Sequence, residues 1–261
     1  MIRGLSCSIA FLFLLGCASK SPAPSEQRVP AQQSQIAVPN SSDITIWTLQ
    51  QLARDKRYDV LNELFTNHGL AISQLPQGYA AGAAARVLDM PGPLADSRLE
   101  ILTSKSWRGK IFFPSTNPRK SRGLNRIRQG VIKTAGIVPM ASFTTEVLDS
   151  DPLTPGAHHL VNLNYANPVT QGKYWQEKVL KLNTQVYDLM VPVQGKYGVV
   201  YIGKTWLGNY DKQGVFTARY PDNLIAWFFL DFNPQALDIQ QAQYWDGSKE
   251  TKLDPLPQVV D

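Results

Sequence analysis

Three histidines, His68, His158 and His159, are the first residues to test for chemistry. His158 and His159 adjoin, and neighbours on a strand point to opposite faces, so the pair does not converge on one metal ion. His68 stands beside Gly69 at the end of a helical stretch, where a cationic side chain meets the helix dipole favourably. The chain carries no His-Glu-x-x-His, Gly-x-Ser-x-Gly or phosphate-loop pattern. Its acidic residues are scattered, without the close pair that would announce glycosidase chemistry; pairs assembled by the fold stay open. The expectation is no catalytic residue, no metal and no cofactor.

Charge and aromatic residues carry the remaining signals. The basic cluster Lys105, Arg108, Lys110, Arg119, Lys120, Arg122, Arg126, Arg128 and Lys133 dominates a net charge of +5. Lys110, Arg119, Lys120, Arg122 and Arg126 are the candidates for contact with an anionic surface such as lipid headgroups. The plainer reading of the same cluster is a solvated loop. Trp107, Tyr201, Trp206, Trp227 and Phe229 are the candidates for lining an apolar ligand site, against the plainer reading that they fill an ordinary core.

The N-terminus has the form of a secretory signal, with Arg3 before an apolar run from Leu5 to Leu15. That run is too short for a permanent span, which needs ~20 residues. Leu14-Leu15-Gly16-Cys17 resembles the lipobox of bacterial lipoproteins. The resemblance implies a diacylglyceryl thioether on Cys17, cleavage before it, and acyl chains such as palmitate on the new N-terminus. Two or more chains give stable anchoring. Ala18 and Ser19 follow without an aspartate, which by the same resemblance favours the outer membrane, facing the periplasm. Cys7 lies in the segment removed, so Cys17 would be the only cysteine left, and no disulfide or thiolate site is expected.

Five segments follow: a signal peptide over 1–16, a lipidated tether over 17–42, a helical segment over 43–74, a β domain over 75–233 and a polar tail over 234–261. The tether is rich in Ser, Pro and Gln and poor in large apolar side chains, so disorder or polyproline-like spacing is expected. Ser41-Ser42-Asp43 reads as a helix start before Ile46, Leu49, Leu52 and Ala53. Tyr58, Leu61, Leu64 and Phe65 mark a second helical face, ending near Asn67-His68-Gly69.

Beyond Pro76 the pattern changes to short runs rich in Val, Ile, Tyr, Trp and Phe. Candidate strands are Tyr79–Leu88, Trp107–Phe113, Gly130–Val138, Ser142–Val147, His159–Tyr165, Gln185–Val193, Gly198–Trp206 and Leu224–Phe232. Val161, Leu163 and Tyr165 share one face, and so do Val186, Asp188 and Met190. Asp211-Lys212-Gln213-Gly214 reads as a hairpin turn between the last pair. Without convincing helical crossovers, the class is mainly β: an antiparallel barrel, or alternatively a sandwich, after one or two short helices.

Trp107-Arg108-Gly109-Lys110-Ile111-Phe112, Gly123-Leu124-Asn125-Arg126-Ile127, Asn164-Tyr165-Ala166-Asn167-Pro168, Tyr201-Ile202-Gly203-Lys204 and Trp227-Phe228-Phe229-Leu230 stand in that order. The order resembles bacterial proteins with small lipocalin-like barrels, including the GXWXG type. It departs at Gly78-Tyr79-Ala80-Ala81-Gly82, where that type carries a tryptophan between glycines. The resemblance implies a barrel and an apolar ligand, without catalytic residues. The expectation is therefore a non-enzymatic, membrane-tethered barrel holding a lipid or other apolar molecule. The alternative is a solid barrel that partners another envelope protein, and an envelope hydrolase comes third. Nucleic acid is a poor partner for an exported chain.

Overall fold

The computed structural model describes residues 36–87, 107–129, 136–165, 186–210, 216–217, 224–243, 250 and 252–260. The signal segment, Cys17 and most of the tether lie outside these residues, as do the Asp211–Gly214 turn and the first part of the Gly130–Val138 strand. Among the described residues, no helix is long and apolar enough to cross a membrane.

A short 3-10 turn at Ser41–Asp43 precedes α1 (Ile46–Arg54) and α2 (Tyr58–Asn67). Thr45, rather than the serines before it, caps α1. Its hydroxyl accepts from the Thr48 backbone N–H, and the Thr48 hydroxyl accepts from the Thr45 N–H. This reciprocal box satisfies two amides that the first turn otherwise leaves free. Ile46, Leu49, Gln50 and Ala53 bury one face of α1, and Val60, Leu61, Leu64 and Phe65 one face of α2. Both stripes follow the spacing seen in the sequence.

The strands are β1 (Gly78–Arg86), β2 (Trp107–Phe112), β3 (Lys120–Gln129), β4 (Gly136–Leu148), β5 (Leu160–Asn164), β6 (Val186–Gly195), β7 (Gly198–Leu207), β8 (Asn209–Tyr210), β9 (Phe216–Thr217) and β10 (Leu224–Asp231). Eight of them close a barrel in the order β1-β10-β7-β6-β5-β4-β3-β2, every pair antiparallel. This is an up-and-down meander in which β1 returns to seal the last strand, and it excludes the sandwich. Among the described residues β8 and β9 pair only with each other, so the hairpin is an excursion between β7 and β10.

Two expectations change here. The Arg119-Lys120-Ser121-Arg122 part of the basic cluster looks like a loop in sequence; Arg119 does lie in a turn, but Lys120–Gln129 is a full strand pairing both neighbours. Its alternation hides because buried Ser121, Gly123 and Asn125 are small or polar. The two runs Gly130–Val138 and Ser142–Val147 read as separate strands, but β4 is continuous from Gly136. Pro139 breaks the pattern in sequence while sitting beside the register shift at Leu124/Asn125, where a strand tolerates it.

Within the polar tail, Pro234–Gln243 forms a helix, α3. Asn233 Oδ1 accepts from the Gln235 N–H at 2.9 Å, with Pro234 at the first helical position. Buried Ala236 and Gln240 form its inner face, and Gln240 donates to the Gly82 carbonyl at 2.7 Å. A glutamine on the buried side conceals the apolar period.

Apolar burial divides into two clusters. The outer one packs α1 and α2 against Ala81, Ala83 and Ala85 of β1, Trp227 and Phe229 of β10, Ile202 and Trp206 of β7, and Leu189 and Val191 of β6. The inner one takes the alternate residues, among them Ala80, Ala84, Phe143, Leu163, Met190 and Phe228. Strand alternation thus supplies both a barrel core and a helix-covered outer face.

Candidate functional site

Inside the barrel, the inner residues of β2, β3 and β6 and of Tyr165, just past β5, bring a charged cluster together. Lys110 Nζ donates to Asn125 Oδ1 at 2.8 Å, to the Tyr165 hydroxyl at 2.5 Å and to Asp188 Oδ2 at 3.3 Å. The Tyr165 hydroxyl in turn donates to Asp188 Oδ2 at 2.8 Å, and Trp107 Nε1 donates to Asn125 Oδ1 at 2.9 Å. The Lys110 and Asp188 side chains are 3% and 4% exposed. Burial lowers the Lys110 pKa, and the Asp188 carboxylate opposes that shift.

Aromatic rings wrap this ammonium. Its Nζ lies 4.9 to 5.6 Å from the ring centres of Phe143, Tyr165, Phe228 and Trp107. Two of these rings are seated over glycines on neighbouring strands. A Cβ at Gly203 would meet the Phe228 ring at 2.1 Å, and one at Gly123 would meet the Phe143 ring at 2.5 Å. Phe112 packs edge-on to Phe143 at 5.3 Å. The glycines are sockets, and the space they free is filled by the rings. All three ammonium donors are spent inside the protein, so the cluster neutralises itself.

The candidate ligand residues separate by face. Trp107 and Tyr201 belong to the inner cluster. Trp206, Trp227 and Phe229 belong to the outer one, where Trp227 meets Phe65 of α2 edge-on at 6.3 Å. These three therefore line the helix seam and not the barrel; the inward ring of the β10 aromatic run is Phe228. Trp227 and Phe229 alternate around it, as strand geometry requires.

The candidate surface cations separate too. Lys110 is in the barrel core, and Arg126 is 4% exposed. Arg126 pairs with Glu250 through Nε–Oε1 at 2.6 Å and Nη2–Oε2 at 2.9 Å. Its Nη1 donates to the Ala80 and Arg108 carbonyls and to Gln240 Oε1. Neither residue is placed to meet an anionic surface: a strand position that faces in, or one covered by the C-terminal segment, removes a cation from solvent. Arg119 and Lys120 are exposed and pair with Asp149 and Glu146. Arg122 is half-buried on the same strand.

On the outer face Lys204 lies beneath α2, its Nζ 4.4 Å from the Phe65 ring centre and 4.9 Å from that of Trp227. Burial pushes its pKa down to about 8. His158 and His159 are exposed, and among the described residues no group of His, Cys, Asp or Glu could hold a metal.

The end of the barrel with the tight β6–β7 turn carries an open depression of about 240 Å³. Tyr197, Tyr201 and Phe232 line it with aromatic rings, Pro76 and Val199 add apolar surface, and Gln77, Asp231 and Asn233 add polar atoms. Tyr201 is 7% exposed, and burial pushes its phenol up to about 12, with no hydrogen bond to any described residue. Asp231 Oδ1 accepts from the Asn233 N–H at 2.8 Å, while burial raises the carboxyl above its ordinary range. The sequence reading missed Asp231, Asn233 and Phe232, which follow the aromatic run directly, and kept only Tyr201.

The fold therefore defines the class: a closed eight-stranded antiparallel meander barrel with a helical layer on one flank. Comparison with family models, with curated proteins and with solved structures returned no match for this chain.

Proposed function

We propose that this chain is a lipid-anchored protein of the bacterial envelope whose barrel is a solid, non-enzymatic module. It meets its partner at its surface instead of holding an acyl chain inside. The observation that carries the reading is the occupied barrel interior: Trp107, Phe143, Tyr165 and Phe228 pack around a buried Lys110–Asp188 pair. An acyl chain would have to displace rings seated on glycine and disturb the contacts of the buried pair, and a buried ion parted from its partner costs about 3–5 kcal/mol. The apolar ligand implied by the lipocalin-like resemblance is therefore the less favoured reading. The anchor rests on Leu14-Leu15-Gly16-Cys17, with the outer membrane, facing the periplasm, as the proposed location.

Two measurements test this. Cys17→Ser should abolish acyl labelling and move the protein out of the membrane fraction; unchanged fractionation removes the anchor. Titrating the Cys17→Ser protein with fatty acids and phospholipids should leave tryptophan emission without a saturable blue shift. A saturable shift that disappears in Trp107→Phe would restore a hollow, lipid-binding barrel.

A further inference from the structure

We propose that the depression at the tight-turn end of the barrel is a binding site for a single neutral sugar ring. This deepens the surface-binding reading and rests on it. Its size is the first argument. At about 240 Å³ it falls below the ~300–1,000 Å³ of pockets that enclose drug-sized ligands, so it suits one ring and not an acyl chain.

The chemistry of the lining is the second argument. A pyranose presents an apolar C–H face and a rim of hydroxyls, and the lining offers the complement of both. Tyr197, Tyr201 and Phe232 supply rings, and Val199, 41% exposed, leaves apolar surface beside them. Phe232 is held in place by edge-on contacts with Phe112 at 5.4 Å and Tyr201 at 5.6 Å. The Tyr201 hydroxyl has no partner among the described residues, although the residue is more than nine-tenths buried. The hydroxyl oxygen itself is not sealed from solvent, so it is free to bond a ligand hydroxyl in place of water.

The polar groups are arranged for hydroxyls and not for ions. Asn233 is spent as a brace: Nδ2 donates to the Tyr197 carbonyl at 2.8 Å and Oδ1 accepts from the Gln235 N–H. It ties the end of β10 to the β6–β7 turn and fixes the lining beforehand, which lowers the cost of binding. The Asn233 N–H holds one oxygen of Asp231, and the other has no partner among the described residues. No lysine or arginine is among the lining residues, so a phosphate or carboxylate would find no counter-charge. Lys196, in the adjoining turn, lies over the Tyr197 ring at 5.3 Å.

The test uses the full-length Cys17→Ser protein with glucose and N-acetylglucosamine free in solution, and with the same rings on glycolipid vesicles. Calorimetry should show saturable binding in one arm or both, and the arm tells whether the ring comes free or on a lipid. Tyr201→Phe keeps the ring and removes only the hydroxyl; it should weaken binding about fivefold, the worth of one neutral hydrogen bond. Gln77→Ala, at an exposed position, should weaken it without moving the melting midpoint. No saturation by either sugar in either arm overturns the site, as does binding indifferent to both substitutions. Preference for choline over the sugars would make it a cation site and overturn it too. A null sugar titration leaves the solid-barrel reading standing, because that reading fails only through the amphiphile-driven tryptophan shift.

Discussion

Lys110 and Asp188 face each other inside the barrel, Nζ 3.3 Å from Oδ2, from strands that do not pair. One comes from β2 and the other from β6, so the pair spans the interior. Tyr165 closes the triangle by hydrogen-bonding both. Asp188→Ala leaves the ammonium buried without its counter-ion. The expected loss is about 3–5 kcal/mol of stability, read from the urea midpoint. The double variant Lys110→Met/Asp188→Leu should recover most of it, since a buried pair replaced by apolar residues is often neutral or stabilising. A single variant as stable as the parent would show that the pair does not hold the core.

Gly203→Ala should destabilise through overpacking. The new Cβ would meet the Phe228 ring at 2.1–2.3 Å. Such insertions cost about 1–3 kcal/mol. Phe228→Leu in the same chain should return part of that loss, because the clash is with the ring itself. Additive losses in the double variant would disprove the socket.

Stability should rise and then fall in alkali. The Lys204 pKa drops from an ordinary ~10.4 to about 8 in the folded chain. Between these values the unfolded chain holds more protons, so stability increases with pH. Lys110, also lowered by burial, acts in the same direction. Tyr201 works the other way: its phenol moves from an ordinary ~10 to about 12. The folded chain then holds the extra proton, so stability falls as pH climbs through that window. Urea midpoints from pH 7 to 11.5 should peak near pH 10. Lys204→Met should flatten the rise and Tyr201→Phe the fall; a curve unchanged in both variants would contradict the assignment.

Glu250→Ala should loosen the C-terminal segment while the barrel persists. Glu250 meets Arg126 through two short contacts, and nearby Leu253 is held by the Tyr79 hydroxyl. Arg126 keeps three other acceptors, so the expected cost is about 1–3 kcal/mol. Amide exchange should speed up at 252–260 and stay slow in β1 and β10. Equal acceleration everywhere would mean the segment is integral to the barrel.

Much of the barrel was legible because inner and outer residues alternate. β5, β6 and β7 showed themselves through Val161, Leu163 and Tyr165, through Val186, Asp188 and Met190, and through the run ending at Trp206. Asp188 broke the apolar face of β6, and that break, left without a partner in the sequence analysis, was the trace of the inner cluster. Lys110 could have been chosen from its place beside Trp107 on the inward side of β2. The register shift between Trp107 and Gly109 obscures that, since it brings both residues to one face.

Other parts were hidden by physics that a single chain does not display. β3 was missed because its inner residues are small: Gly123 is there to receive Phe143, a neighbour on another strand. Arg126 read as a surface cation because its partner Glu250 is far along the chain. The end depression joins Gln77, Tyr201 and Asp231, which meet only once the barrel has closed. Local alternation carries no record of such meetings.

That closure has a consequence for how the chain reaches its folded state. β1 pairs with β10, the last strand, over Ala81–Arg86. Until Leu224–Asp231 is in place, β1 and β7 each present an unpaired strand edge. Sealing them joins the most distant parts of the meander, so the entropy of closing the loop falls late, a feature of slow-folding β proteins. A chain stopped short of Leu224 would keep two raw edges able to recruit a second copy. The same adjacency gives the barrel a break point elsewhere: opening it at Lys196–Tyr197, between β6 and β7, and linking β10 directly to β1 would preserve every ladder in a new chain order.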